Sequence, residues 1–257
     1  MAAPRITIKS VELTKVYANG ITGIKELTLE VYEGETFGII GPNGAGKTTM
    51  IRLLTAMLKP TQGTAFVNGF NVLNQKNEVK KVTGLLPEAA TAYENLSGRE
   101  FLQFIGELYK VPKEILKKRV TELLAVFGLK KRENDLINGY SKGMKQRLIL
   151  ASTLIHDPKI LFLDEPTSGL DPSAARLVKD LILALADQGE KTIFISTHQL
   201  ALAEELADRV GILLNGQLYR VGSISQLKEE TGSSNLEEVF LAITGYDNHR
   251  AALLEWR

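Results

Sequence analysis

Apolar and polar residues alternate along the first forty positions of the chain. Ile6 and Ile8 flank Thr7, and Leu27, Leu29 and Val31 are separated by Thr28 and Glu30. A period of two marks strands buried on one face, so residues 5–40 are expected to form strands. Glu33-Gly34 marks a turn, and residues 36–40 form a short apolar strand feeding a glycine-rich loop. The period then lengthens. Ile51, Leu54 and Leu58 share one stripe, which predicts a helix over 48–58, stopped by Lys59-Pro60-Thr61-Gln62-Gly63. Residues 64–67 and 81–86 read as further strands, with Asn68-Gly69 as a hairpin turn.

The middle of the chain changes character. Ser97-Gly98-Arg99-Glu100 has the form of a capping box, and Phe101, Phe104, Ile105 and Leu108 follow at helical spacing. Pro112 suits the start of a second helix carrying Ile115, Val120, Leu123 and Leu124 and ending near Gly128. The Lys and Arg residues of 110–119 form its solvated face. Residues of about 88–155 are therefore expected to be a mainly helical subdomain inserted into an α/β core. The core resumes at 160–163, a continuous apolar run of the kind buried on both faces. Asp171-Pro172 caps and opens a helix, 191–196 is another buried strand, and Asn215-Gly216 is a hairpin turn. Ser223 to Gln226 is a second capping box, and 235–244 is expected to be helical.

Composition narrows the chemistry. The 257 residues are 44% hydrophobic and 24% charged, ordinary for a globular protein. Lys and Arg number 31 against 30 Asp and Glu, a net +1, so no nucleic-acid partner is expected. The absence of cysteine excludes disulfides, thiolate nucleophiles and Cys-ligated zinc or iron–sulfur clusters. Met1-Ala2-Ala3-Pro4-Arg5 lacks the apolar stretch of a secretory signal, and no apolar run approaches the ~18–20 residues that span a bilayer. Work at a membrane would need another chain to do the spanning.

The residues Gly41-Pro42-Asn43-Gly44-Ala45-Gly46-Lys47-Thr48 fit the phosphate-binding pattern G-x-x-x-x-G-K-[ST], followed by Thr49. The pattern falls between an expected strand and an expected helix. Its glycines let backbone N–H groups approach phosphate oxygens, and the helix start adds partial positive charge. Lys47 can neutralise the β and γ phosphates of ATP, and the Thr48 hydroxyl can ligate Mg2+. The apolar run Ile160-Leu161-Phe162-Leu163 ends in Asp164-Glu165. On a strand beside the phosphate loop, Asp164 would reach the Mg2+ shell and Glu165 would polarise the attacking water, a step typically worth about 10²–10⁴-fold.

These motifs, with Tyr140-Ser141-Lys142-Gly143-Met144-Lys145-Gln146-Arg147 opening a helix over 144–156, resemble the nucleotide-binding domain of ABC ATPases over nearly the whole chain. The octapeptide is similar to the family's LSGGQ signature. It departs from it at Tyr140, Lys142 and Met144 while keeping Ser141 and Gly143. The resemblance implies an α/β fold: a P-loop NTPase core with an antiparallel β subdomain and an inserted helical signature subdomain. Residues 1–235 would form the nucleotide-binding domain and 236–257 a C-terminal helical tail. It implies that Ser141 and Gly143 cap the γ-phosphate of an ATP held by a second ATP-binding subunit, identical or not. Asp171, in Ser168-Gly169-Leu170-Asp171, would lie at that dimer interface. His198 would contact the γ-phosphate, and Tyr17 would stack on adenine. Glu88, after Leu86-Pro87, stands where the family usually has a Gln near Mg2+. His156 and His249 match nothing in the family pattern and read as ordinary polar residues.

The implied function is ATP binding and hydrolysis in a dimer closed around two ATP, driving movement through separate transmembrane permease subunits. The protein would then be cytoplasmic, peripheral on the inner face of the cell membrane. Leu86-Pro87-Glu88, Tyr140-Ser141-Lys142-Gly143-Met144 and Leu236-Glu237-Glu238-Val239-Phe240-Leu241 together resemble the branch paired with small exporter-type permeases, which suggests export. A soluble ABC ATPase acting on ribosomes, DNA or a protein assembly is the alternative. No sustained heptads interrupt the stretch between Thr48 and Ser141, unlike the chromosomal members. Another P-loop enzyme, such as a kinase, would leave the signature and His198 unexplained.

Overall fold

A computed structural model describes residues 4–88 and 91–245; residues 246–257, including His249 and the end of the expected tail, lie outside the described residues. The alternating N-terminal segment forms β1 (Ile6–Val16) and β2 (Thr22–Tyr32), an antiparallel pair. The short apolar run that follows is β3 (Thr36–Ile40), buried along its whole length. It leads through the glycine-rich loop into α1 (Lys47–Leu54). This helix is one turn shorter than the stripe of apolar residues predicts. Ala56 takes a left-handed φ of +56°, and Met57 and Leu58 both fold back to hydrogen-bond the Arg52 carbonyl.

Next come β4 (Gln62–Val67) and β5 (Phe70–Asn71), joined by Asn68-Gly69 with φ of +48° and +82° at the turn. Both values are left-handed, as a two-residue hairpin requires. The strand expected over 81–86 is a correction. Residues Lys76–Val82 form α2, and only Thr83–Leu86 form a strand, β6. The Thr83 hydroxyl closes the helix by donating to the Val79 carbonyl at 2.8 Å.

The helical insertion consists of α3 (Gly98–Leu108), α4 (Lys113–Val126) and α5 (Lys142–Leu154). The Ser97–Glu100 capping box forms reciprocally at the start of α3. Helix α5 begins two residues earlier than 144 because Ser141 caps it, accepting from the Met144 N–H at 3.2 Å. Then follow β7 (Ile160–Asp164), α6 (Pro172–Asp187), β8 (Thr192–Thr197), α7 (Leu200–Leu206), β9 (Arg209–Leu214), β10 (Gln217–Ser223), α8 (Ile224–Thr231) and α9 (Leu236–Thr244). The short α7 has no counterpart in the sequence expectations.

Two sheets sandwich α1. One is antiparallel with order β2-β1-β4-β5; the other has order β10-β9-β3-β8-β7-β6. Strands β9, β3, β8, β7 and β6 run parallel, and β10 returns antiparallel to β9. Helix α1 touches β2 and β4 on one side and β7 and β8 on the other. Three buried aromatics cross the parallel sheet. Phe37 of β3 and Phe162 of β7 lie 5.5 and 5.4 Å from Phe194 of β8, ring centre to ring centre. Each contributes roughly 1.5–3 kcal/mol by burial. Together they hold in register the three strands whose carboxyl ends carry the phosphate loop, Glu165 and His198.

Candidate active site

The phosphate loop is shaped by close backbone approaches. A Cβ at Gly41 would collide with the Leu213 carbonyl oxygen, and one at Gly46, whose φ is +109°, would collide with that of Gly23. Gly44, at +81°, faces open space, so its role is the turn itself. The loop is braced from behind by the β9–β10 hairpin. The Gly216 N–H donates to the Ala45 carbonyl at 2.8 Å, while the Gly216 carbonyl accepts from the Lys25 N–H at 2.8 Å. Gly46 caps α1 without a side chain, leaving the first helical N–H groups for an anion.

Lys47 points back into this cradle. Its Nζ donates to the Gly41 carbonyl at 2.8 Å and the Pro42 carbonyl at 3.2 Å, and lies 3.4 Å from Glu165 Oε1. Both charged residues are buried, 6% and 5% exposed. The ion pair is thus largely desolvated, and its members depend on each other and on the surrounding dipoles.

The end of β7 supplies the acids. Asp164 accepts hydrogen bonds from the Thr48 hydroxyl at 2.8 Å and from the Ser196 hydroxyl. Glu165 takes a left-handed φ of +49°, which turns its carboxylate back over the sheet edge. It accepts from the His198 N–H at 3.0 Å and the Thr197 hydroxyl at 3.2 Å, and His198 Nδ1 lies 2.9 Å away. An ionised carboxylate only accepts, so the proton is assigned to Nδ1, leaving Nε2 for another partner.

A cleft of about 460 Å³ opens here, lined by Tyr17, Asn43, Gly44, Gly46, Lys47, Thr48, Thr49, Glu88 and Glu165, with Ile21, Thr22 and Gly23 at one end. The Tyr17 hydroxyl and Thr49 Oγ1 are 3.0 Å apart, which fixes the Tyr17 ring at the cleft wall. Glu88 is exposed on that wall. Pro42 is exposed at the loop tip and Ala45 is buried beneath it.

Ser141, Gly143 and Asp171 do not line this cleft; they form a second group. Ser141 is exposed at the start of α5. A Cβ on Gly143 would stand 2.9 Å from Ala174 Cβ and 3.9 Å from Asp171 Oδ2, so the glycine lets α5 and α6 meet. Asp171 caps α6, and hydrogen bonds from the Ser173 hydroxyl and the Ala174 and Ser173 N–H groups hold its carboxyl below the usual range. The atypical signature residues are built into the structure. Tyr140 is buried with its hydroxyl donating to the Arg132 carbonyl at 2.7 Å, and the Lys142 amino group lies over Gly169. Gln146 Nε2 donates to the Pro166 carbonyl at 3.1 Å, tying α5 to the segment just after Glu165.

Sequence reasoning did not find Ser196, Thr197 and Gly216 as part of this site. The polar pair Ser196-Thr197 at the end of an otherwise apolar strand, directly before His198, is a usable signal. Gly216 carried only a turn signal, because its contact with Ala45 is made far along the chain. His156 is also more than an ordinary polar residue. Its ring stacks on Tyr109 at 3.7 Å, and Nε2 lies 3.0 Å from the Thr83 carbonyl.

The donor set suits Mg2+ held together with ATP. Among the described residues no cluster of three or more His, Asp or Glu could hold a metal by itself. Mg2+ is ordinarily bound through one or two carboxylates, substrate phosphates and water. Asp164 and the Thr48 hydroxyl already meet beside the phosphate cradle, with Glu88 also lining the cleft.

Residues 24–168 match a protein family described as ABC transporter. The chain is 38% identical over 233 residues to the daunorubicin/doxorubicin resistance ATP-binding protein DrrA of Streptomyces peucetius, an alignment covering 91% of this chain and 70% of that protein. A solved ATP-binding subunit of an ABC transporter superposes with a TM-score of 0.84 at 28% identity, covering 93% of this chain and 99% of that one. A dimeric ATP-binding cassette in a post-hydrolysis state, bound to ADP and Pi, gives a TM-score of 0.77 at 26% identity over 84% and 98%. A family match spanning more than half of the chain, and a relative aligned over nine-tenths of it, place the protein in the ABC transporter family, among its ATP-binding and ATP-hydrolysing chains.

Proposed function

We propose that two such subunits close head-to-tail around two Mg-ATP and that hydrolysis between them drives a substrate outward through separate transmembrane permease subunits. The observation carrying this reading is the setting of Glu165, which lines the cleft and joins Lys47, Thr197 and His198. Tyr17 would stack on the base, the 41–49 loop would hold the phosphates, and Asp164, Thr48 and Glu88 would hold Mg2+. The metal, when bound, supplies charge neutralisation at the phosphate oxygens. Glu165 would take a proton from the attacking water, and His198 would donate to a γ-phosphate oxygen from Nε2 when that nitrogen also carries a proton.

Ser141 and Gly143 belong to the other half of the reaction. They stand apart from this chain's own cleft, at a helix start suited to an anion, and would complete the partner's site. A two-fold dimer satisfies both halves at once. Loss of the γ-phosphate then lets the interface open, a phosphate-driven switch. Among the described residues no helix is long and apolar enough to cross a membrane, which fits a subunit held at the inner face by its permeases. The outward direction is supported by DrrA, whose name assigns it to drug resistance.

The test is ATP turnover against protein concentration, with Ser141→Ala beside it. Specific activity should rise with concentration and fall at least tenfold in the variant. Turnover indifferent to both dilution and the loss of Ser141 would refute the shared site. Copurification with a native membrane partner checks the permease; recovery with ribosomes instead would overturn the transport assignment.

A further inference from the structure

We infer that Phe240, on the C-terminal helix α9, is a positioning residue for His198, making that helix part of the support of the hydrolysis site. The inference rests on the reading of His198 as a member of that site.

The packing leads to it directly. Ile40, the last residue of β3 before the phosphate loop, is fully buried in a cluster with Leu236 and Val239 of α9 and Ala203 of α7. Phe240 packs half-buried against this cluster. It faces a hollow of about 290 Å³ whose other walls are Gly41, Pro42, Asn43, His198 and Leu200. His198 therefore faces two neighbours of different kinds, one in contact and one across the hollow. Its Nδ1 side meets Glu165 at 2.9 Å, and the hollow it shares with Phe240 lies on another side. The His198 side chain is 43% exposed, so little else fixes its rotamer.

Helix α7 starts two residues after His198, and its seat on α9 decides where the intervening loop lies. That seat is pinned by one carboxylate. Glu204 of α7 accepts from the Leu236 N–H at 3.0 Å and from the Lys228 ammonium of α8. These hydrogen bonds, with burial opposing, hold its carboxyl below the usual range. The phosphate loop, by contrast, is secured independently of α9, through Lys47 to the Gly41 and Pro42 carbonyls and through Gly216 to Ala45. Removing the Phe240 ring loosens the packing of α9 on α7, and with it the loop that carries His198, but leaves the phosphate cradle in place. The loss must then fall on kcat and not on KM.

The experiment is steady-state ATP hydrolysis by the full chain carrying Phe240→Ala, Phe240→Leu, His198→Ala or Phe240→Ala with His198→Ala, with ATP affinity by equilibrium titration. We expect Phe240→Ala to lower kcat about threefold to tenfold with KM within twofold of wild type, and Phe240→Leu to recover at least half of the loss. In the His198→Ala background, Phe240→Ala should change the single-turnover rate by less than twofold. An unchanged kcat in Phe240→Ala, or an equal loss with and without His198, overturns the inference. If Phe240→Ala fails to fold, Phe240→Leu decides by the same kcat-against-KM comparison. A His198→Ala enzyme that turns over normally sinks the underlying reading of His198 instead, so the two failures are distinguishable.

Discussion

Replacing Glu165 by Gln separates what the carboxylate does for the fold from what it does in the reaction. The Lys47–Glu165 pair is buried, with N–O separation of 3.4 Å. Removing one member of such a pair ordinarily costs about 3–5 kcal/mol, because the other charge is left uncompensated. Here the loss is smaller. Lys47 keeps two carbonyl acceptors at 2.8 and 3.2 Å, and the isosteric amide can still accept from the His198 N–H through its oxygen while its NH2 donates to the Thr197 hydroxyl. We expect a destabilisation of about 1–2 kcal/mol without nucleotide. In a chain of this length that lowers Tm by roughly 2–8 °C. Loss of the base should slow phosphate release by about 10²–10⁴-fold, and the ATP-bound dimer should accumulate on sizing with Mg-ATP. The assays are thermal melting without nucleotide, phosphate release, and sizing. A Glu165→Gln variant that melts with wild type and turns over within tenfold of it would refute both the desolvated pair and the base.

Two further outcomes follow from specific contacts. Gly216→Ala places a Cβ 2.9 Å from the Gly23 carbonyl oxygen at a φ of +76°; the strain of about 1–2 kcal/mol should pull the hairpin off Ala45 and weaken ATP binding several-fold in an equilibrium titration, and wild-type affinity would contradict the brace. Burial pushes the His156 imidazole below its ordinary value, against the opposing Thr83 carbonyl, and among the described residues Nδ1 has no partner. The unfolded chain therefore binds this proton more readily, so the stability His156 confers is present above a pH of about 6.5 and is lost as pH falls below it. Urea midpoints between about pH 7.5 and 5.5 should fall less steeply for His156→Phe, which keeps the stack on Tyr109, and equal slopes would rule the effect out.

The parts of this molecule legible in the sequence are those where local chemistry and tertiary need coincide. The hairpins at Asn68-Gly69 and Asn215-Gly216 and the boxes at Ser97 and Ser223 form as written, because turn and cap residues act within a few positions. Lys47, Thr48, Asp164 and Glu165 are legible for a related reason: phosphate and metal chemistry admits few residue types at fixed spacing. What failed was boundary and distance. Helix α1 stops at Leu54 because Met57 and Leu58 fold back on Arg52, and α2 hides in a lysine-rich stretch where only Val79 is buried. Polarity there suppresses the periodic signal. The remote relations, Gly216 bonded behind Ala45 and Phe240 across a hollow from His198, depend on chain folding back from distant positions, and no local pattern encodes that.

The coordination of Lys47 also links binding to catalysis. An ammonium group has three donors, and here it meets three acceptors, the Gly41 and Pro42 carbonyls and Glu165. A phosphate oxygen drawn to Lys47 must replace one of them. The two carbonyls belong to the loop that cradles the phosphate, at 2.8 and 3.2 Å, whereas the carboxylate is the longest contact at 3.4 Å and comes from the end of a different strand. The exchange therefore releases Glu165 from its cation as the phosphate arrives. Glu165→Gln should then bind ATP more tightly than wild type, by about threefold to tenfold, measured in EDTA so that turnover does not intrude. Lys47→Ala alone should weaken binding by about 10–100-fold, as expected for one charge-assisted contact. Simple relief of charge repulsion predicts that Glu165→Gln helps equally with or without Lys47, whereas displacement predicts that the gain shrinks in the Lys47→Ala background. Equal gains in both backgrounds would refute the exchange and leave Lys47 and Glu165 as independent members of the site.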